Sequence, residues 1–131
     1  MKRNIINPWT WQDPIGFVQA NDLTGAERIV FCAGQTSVDS NGIPMHEDDM
    51  HGQIQLCLDN LEKVLQQANM TLANVIRLNY YTTDIDRFFS ANDALAKRLR
   101  IAGCQPAATL LGIVRLAFPP LLVEIEATAM R

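Results

Sequence analysis

Apolar positions along this chain change their spacing several times, and each change marks a new element. Gly16 to Ala20 and Arg28-Ile29-Val30-Phe31-Cys32-Ala33 read as strands on either side of the turn-prone Asn21-Asp22-Leu23-Thr24-Gly25, which predicts a hairpin. Gly34-Gln35 closes the second strand, and Asp39-Ser40-Asn41-Gly42 supplies a reversal built from residues that tolerate left-handed backbone. From Asp48 the period becomes helical. Met50, Ile54, Cys57, Leu58, Leu61, Val64, Leu65 and Ala68 form one apolar stripe, with Asn69 set to end it.

Val75 to Thr83 is a β-branched and aromatic run, hence a strand. Asp84 or Asp86 caps a second helix whose stripe is Phe88, Ala91, Leu95, Leu99 and Ala102, stopped by Gly103. Gln105 to Ala117 and Leu121 to Met130 read as two more strands joined by a turn at Pro119-Pro120, with Glu124 and Glu126 at period two among apolar neighbours. The order β-β-α-β-α-β-β predicts one α+β domain over residues 1–131, a mixed sheet with both helices on one face. The other face has no layer to cover it. Closed homo-oligomerisation is therefore expected, with ligand sites between subunits.

Composition narrows the function classes. At 48% hydrophobic and 19% charged residues the chain can bury one modest core. A net charge of −3, with eleven basic residues scattered along the chain, argues against a phosphate-binding surface for nucleic acid. No apolar run approaches the roughly 20 residues that span a bilayer, and Met1 to Pro8 lacks the apolar core of a secretory signal, so no membrane partner and a cytoplasmic location are expected. Cys32, Cys57 and Cys104 have no metal-like spacing and fall in apolar segments, as packed reduced thiols do. His46 and His51, with Glu47, Asp48 and Asp49 between them, read as a solvated helix entrance rather than a metal site, because no third ligand is evident.

Several segments, taken in order, resemble the YjgF/RidA (Rid) family over nearly the whole chain. They are Gly16-Phe17-Val18-Gln19, Ala33-Gly34-Gln35, Gln53 with Leu58-Asp59-Asn60-Leu61, Asp84-Ile85-Asp86-Arg87-Phe88 with Asn92, then Pro106-Ala107, Arg115-Leu116 and Glu124-Ile125-Glu126-Ala127. The resemblance implies a chorismate-mutase-like fold assembled as a homotrimeric barrel with clefts between subunits. It also implies hydrolysis of reactive enamines and imines, released by pyridoxal-phosphate enzymes, to a 2-oxo acid and ammonia, without cofactor or metal.

The chain departs from the family pattern where the substrate would be held. The deaminases read Pro-Ala-Arg-Ser, the Arg clamping a carboxylate, whereas this chain reads Pro106-Ala107-Ala108-Thr109. Losing such a desolvated bidentate contact costs about 2–5 kcal/mol, so a ligand without a carboxylate is expected. Arg115 lies seven residues on, an odd separation that sends it to the opposite sheet face unless a bulge intervenes, while Arg28, Arg77 or Arg87 could act from a neighbouring subunit. Phe17, Ala33 and Leu110 stand where the family has Tyr, Ser and Cys, which makes the implied pocket greasier.

The expected ligand-binding set is thus Phe17, Ala33, Gly34, Gln35, Asn92, Ala108, Thr109 and Leu110, with Glu124 as the catalytic carboxyl that manages water. Two roles stay open for several of these residues. Glu124 could instead serve backbone groups or another subunit, and Asn92 could bond a loop rather than a ligand. Trp9 and Trp11 form either a lid over the cleft or a strand edge. Three functions follow in order of preference: a Rid-type hydrolase, a non-catalytic small-molecule binder or regulator, and an endoribonuclease.

Overall fold

The structure, a computed structural model, describes residues 1–131. Helix α1 spans Met50–Gln67, and its stripe is the centre of the core, with Ile54, Cys57, Leu58, Leu61 and Leu65 wholly buried. Asp49 caps it by accepting from the Gly52 N–H at 2.9 Å, and Asn69 ends it in the left-handed region at φ 56°. Gln53 is a buried polar residue on the same face. Its Nε2 donates to the Pro120 carbonyl at 2.9 Å and its Oε1 accepts from the Leu122 N–H at 2.8 Å, so the last loop is tied to the helix.

The main sheet has the order β3 (Ile29–Phe31), β7 (Val123–Met130), β5 (Val75–Thr82), β6 (Ala107–Gly112), with β4 (Gln35–Thr36) pairing β7 beyond β3. β5 and β6 are parallel and the other pairings antiparallel. Alternation along the strands sorts side chains by face. Leu78, Tyr80, Val123, Ile125, Ala127 and Ala129 bury against the helices, while Arg77, Asn79, Tyr81, Glu124 and Glu126 point the other way. This second face is uncovered, as the element order implied. Near β5 and β7 it is a polar network, and it turns apolar towards the β3 edge, where Ile29 and Phe31 are exposed.

Four boundaries differ from the sequence expectation. The hairpin between residues 16–20 and 28–33 does not form: β2 runs from Ala20 to Thr24 and pairs with an amino-terminal strand, β1 (Lys2–Ile6), that lacked an apolar pattern. This ribbon docks through polar groups, with Asn21 Nδ2 donating to the Ile76 and Gln105 carbonyls. The second helix is two, α2 (Ile85–Ser90) and α3 (Asn92–Ile101), redirected at Ala91 (φ −98°, ψ 0°) while both keep an apolar face inward. Asp84, rather than Asp86, is the cap, accepting from the Arg87 N–H at 3.0 Å.

The strand before Gly34 breaks and resumes. Phe31 pairs with Thr128 but Gln35 with Ile125, so one strand carries an extra residue there, a bulge. Finally, β6 stops at Gly112 and the chain runs through an extended loop before β7, so Arg115 lies on that loop and not on a strand face. Strand parity therefore says nothing about it.

Candidate functional site

Two separate constellations contain most of the expected site residues, one on each face of the sheet. The first is an apolar pocket of about 210 Å³ between β6, α2, α3 and the segment before β2. Ala108 and Leu110 form its floor, because their register opposite Leu78 and Tyr80 turns them to the helix side. Phe17 forms a wall. It is fixed from behind, where the Val18 N–H donates to the Pro106 carbonyl at 2.9 Å, and from the front, where Trp11 meets its ring edge-on with centroids 5.9 Å apart.

Gly16, immediately before Phe17, has φ 99°, and a Cβ there would come within 3.0 Å of the Ala96 Cβ, so glycine is required to bring this segment onto α3. Asn92 is buried at the start of α3 and its Nδ2 donates to the Ile15 carbonyl at 3.1 Å, pinning the same segment. Of its two expected roles, the structure thus gives Asn92 the bond to a loop, with its Oδ1 left over.

Ile15, Tyr80, Phe88 and Phe89 complete the lining and were not singled out from the sequence as site residues. Phe88 and Tyr80 fell within runs read as core positions, and nothing in periodicity alone separates a core residue from a pocket wall. Trp11 belongs to the wall while Trp9 does not, and neither lies on a strand, which removes the strand-edge alternative.

The second constellation is on the open face. Gly34 lies directly under Glu124: a Cβ built on Gly34 would collide with the carboxylate Oε1 and come within 2.7 Å of Cδ. Burial, and next the neighbouring charge of Glu126, hold the Glu124 carboxyl above the ordinary range. Glu126 is shifted the opposite way, because the hydroxyl of Tyr81 at 2.5 Å and Nδ2 of Asn79 at 3.0 Å donate to its Oε1 and favour the anion. Two carboxyls two residues apart are thus driven apart in acidity. Ala33 and Gln35 flank Gly34 in the bulge, with Gln35 Nε2 donating to the Ala33 carbonyl at 3.1 Å.

Thr109 joins neither group by contact with Ala108 or Leu110. It faces the open side, where Arg77 Nη2 donates to its Oγ1 at 2.8 Å. Within one protomer the pocket and Glu124 therefore stand on opposite sheet faces. No cation lines the pocket. Arg115 turns to the Leu116 carbonyl, Arg28 to the Ala68 carbonyl and Arg87 to Asp48 at 2.8 Å.

The remaining reactive groups lie elsewhere. All three cysteines are free and buried, and desolvation pushes the Cys57 and Cys104 thiols up to about 12, away from thiolate chemistry. His46 Nδ1 sits 3.9 Å from Asp49 Oδ2 at the entrance to α1, and nowhere do three His, Cys, Asp or Glu side chains converge.

The fold and the two constellations define a class: small α+β proteins with a mixed sheet, helices on one face and a small-molecule-sized pocket at the edge. The profile of the family described as Endoribonuclease L-PSP matches residues 14–131, and the chain belongs to this family, YjgF/RidA. It is 32% identical over 112 residues to the mitochondrial protein mmf2 of Schizosaccharomyces pombe, covering 83% of this chain and 85% of that one. Among solved structures, the Rid-family protein YyfB of Yersinia pestis, described as of unknown function, superposes with a TM-score of 0.89 at 34% identity over 100% of both chains. TdcF of E. coli, solved with bound serine, superposes with a TM-score of 0.71 at 25% identity over 99% of each chain. No helix is long and apolar enough to cross a membrane.

Proposed function

We propose that this protein is a Rid-type hydrolase for a small reactive imine or enamine that carries no carboxylate. The observation that carries the reading is the lining of the pocket, where Ala108 occupies the position of the family's guanidinium and no positive side chain of the same protomer enters. An anionic ligand there would lose its hydration with nothing to replace it. In the proposed reaction, water adds to the imine carbon and the C–N bond breaks, giving a carbonyl compound and ammonia. Glu124 takes a proton from the attacking water and returns one to the departing nitrogen, a role for which burial, by raising its basicity, suits the carboxyl.

This chemistry requires more than one copy of the chain, because Glu124 and the pocket lie on opposite sheet faces of a protomer. We place the working site where the pocket of one subunit meets Gly34 and Glu124 of the next in a closed homotrimer, each subunit contributing one half. The half-exposed Trp11 and Phe89 at the pocket rim and the exposed Phe31 on β3 are the apolar surface such an assembly would cover.

The test is hydrolysis of imines generated in situ. An uncharged imine should turn over faster than an imine derived from an amino acid, and Glu124→Gln should lower kcat by about a hundredfold or more. Strong activity on the anionic imine would overturn the inference from Ala108, and unchanged turnover of Glu124→Gln would remove its role. Sedimentation should give the trimer mass. A second reading, a binder without chemistry, is favoured by the same absence of charged groups from the pocket; ligand binding with no turnover of any imine would select it. The endoribonuclease description of the family fits poorly with a net charge of −3.

A further inference from the structure

Two residues that line the aromatic pocket, each nine-tenths buried, carry a polar atom with no partner within the chain. Tyr80 is 7% exposed and its hydroxyl, on the pocket wall, makes no hydrogen bond within the chain. Asn92, also 7% exposed and on the same pocket, spends its Nδ2 on Ile15, and its Oδ1 receives no donor. Neither atom is sealed from solvent, the one sealed side-chain atom without a partner being Asn79 Oδ1 on the other sheet face, so each stays open to a group that a ligand brings. Tyr80 was not needed for packing as a tyrosine: its ring meets Phe88 at 5.3 Å, a contact phenylalanine would make equally well.

We infer that the pocket binds a small uncharged aromatic ring bearing one hydroxyl, a phenol in the simplest case. The hydroxyl oxygen accepts from Tyr80 and its proton goes to Asn92 Oδ1, so one substituent completes both groups. Size agrees. An apolar cavity of about 150 Å³ holds benzene, so the roughly 210 Å³ here takes one six-membered ring with a substituent or two. Shape agrees as well, since Trp11, Phe17, Tyr80, Phe88 and Phe89 offer edges and tilted faces around the space, the arrangement in which a further ring makes T-shaped contacts. The absence of any charged lining group selects against an ionised ring substituent.

The inference takes the pocket as the ligand site, in keeping with the proposed function, but requires nothing of Glu124. Its test is a ligand-observed NMR titration of the whole protein with phenol, toluene and benzoate. Phenol should bind about tenfold more tightly than toluene, and benzoate more weakly than either. Tyr80→Phe, which removes one unpartnered oxygen, should leave toluene unchanged and bring phenol down towards it. Ala108→Leu should narrow the pocket and weaken both neutral rings. Equal binding of phenol and toluene, as when a water already satisfies Tyr80 and Asn92, would overturn the inference, as would failure of phenol to bind or insensitivity of phenol to Tyr80→Phe. If phenol fails while Glu124→Gln still abolishes imine hydrolysis, only the ligand class is wrong; if phenol behaves as expected while Glu124→Gln changes nothing, only the hydrolase reading is.

Discussion

Gly34→Ala separates the stability of this fold from the chemistry of Glu124. The backbone at Gly34 is outside the left-handed region, so alanine is sterically permitted by the main chain and restricts the unfolded state, which favours folding by about 0.4–1 kcal/mol. The obstacle is the Glu124 side chain, whose Cδ and Cγ would lie 2.7 and 2.9 Å from the new methyl, against the roughly 3.5–4.0 Å of comfortable carbon contacts. The carboxylate must therefore swing aside by about 1 Å, at a rotamer cost of about 0.5–1.5 kcal/mol. The two terms nearly cancel, and the midpoint of thermal unfolding should move by only a few degrees.

Glu124, by contrast, should leave the niche that desolvates it. Its carboxyl is held above the ordinary value by burial and then by Glu126, so between the unfolded and folded pKa the folded state binds more protons. Stability from this group is present below the unfolded pKa and is lost as pH rises through the folded one. In Gly34→Ala that loss should shrink, and carboxyl-carbon NMR should show Glu124 titrating lower, nearer an unperturbed glutamate. Imine turnover should fall with it. An unchanged Glu124 titration in a folded Gly34→Ala protein would refute the reasoning, since it would mean that contact with Gly34 does not set the environment of the carboxyl.

Further outcomes follow from other sites. Ala108→Arg should strengthen binding of benzoate by about thirtyfold or more, measured by titration, while excluding phenol, because a desolvated guanidinium–carboxylate pair is worth about 2–5 kcal/mol. Glu126→Gln should destabilise by about 1 kcal/mol at neutral pH in urea unfolding, a figure kept small because solvent reaches the network. The Glu126 carboxyl is lowered by its Tyr81 and Asn79 donors, so its contribution is present above the ordinary glutamate pKa and lost as pH falls through the folded value; the variant should show a flatter acid limb. Leu58→Ala removes a wholly buried side chain from the centre of α1 and should cost about 2–5 kcal/mol in the same assay, with loss of expression if the remaining margin is small.

Periodicity and punctuation by themselves determined a good part of this molecule. The choice of Asp84 over Asp86 as the cap is made by the fold. The stripe of α1 apart from the exposed Val64, its Asn69 stop, β5 and the terminator at Gly103 follow from local spacing and backbone preference, and the structure keeps them. So does the loss of positive charge at Ala108, a fact of residue identity that packing cannot alter. What spacing could not decide was pairing. Asn21 to Thr24 looks like a turn because its residues favour turns, yet it is a strand because β1 and the carbonyls of Ile76 and Gln105 supply partners from far along the chain.

The site divides for the same reason. Ala108 and Thr109 are adjacent in sequence and opposite in space, since consecutive strand residues alternate faces, and only the register of β6 against β5 fixes which of them meets the pocket. Likewise Tyr80 and Tyr81 differ by one position, one entering the aromatic pocket and the other the Glu126 network. Side-chain chemistry is written residue by residue, but which groups face one another depends on long-range hydrogen bonding between strands, and that is settled only when the sheet forms.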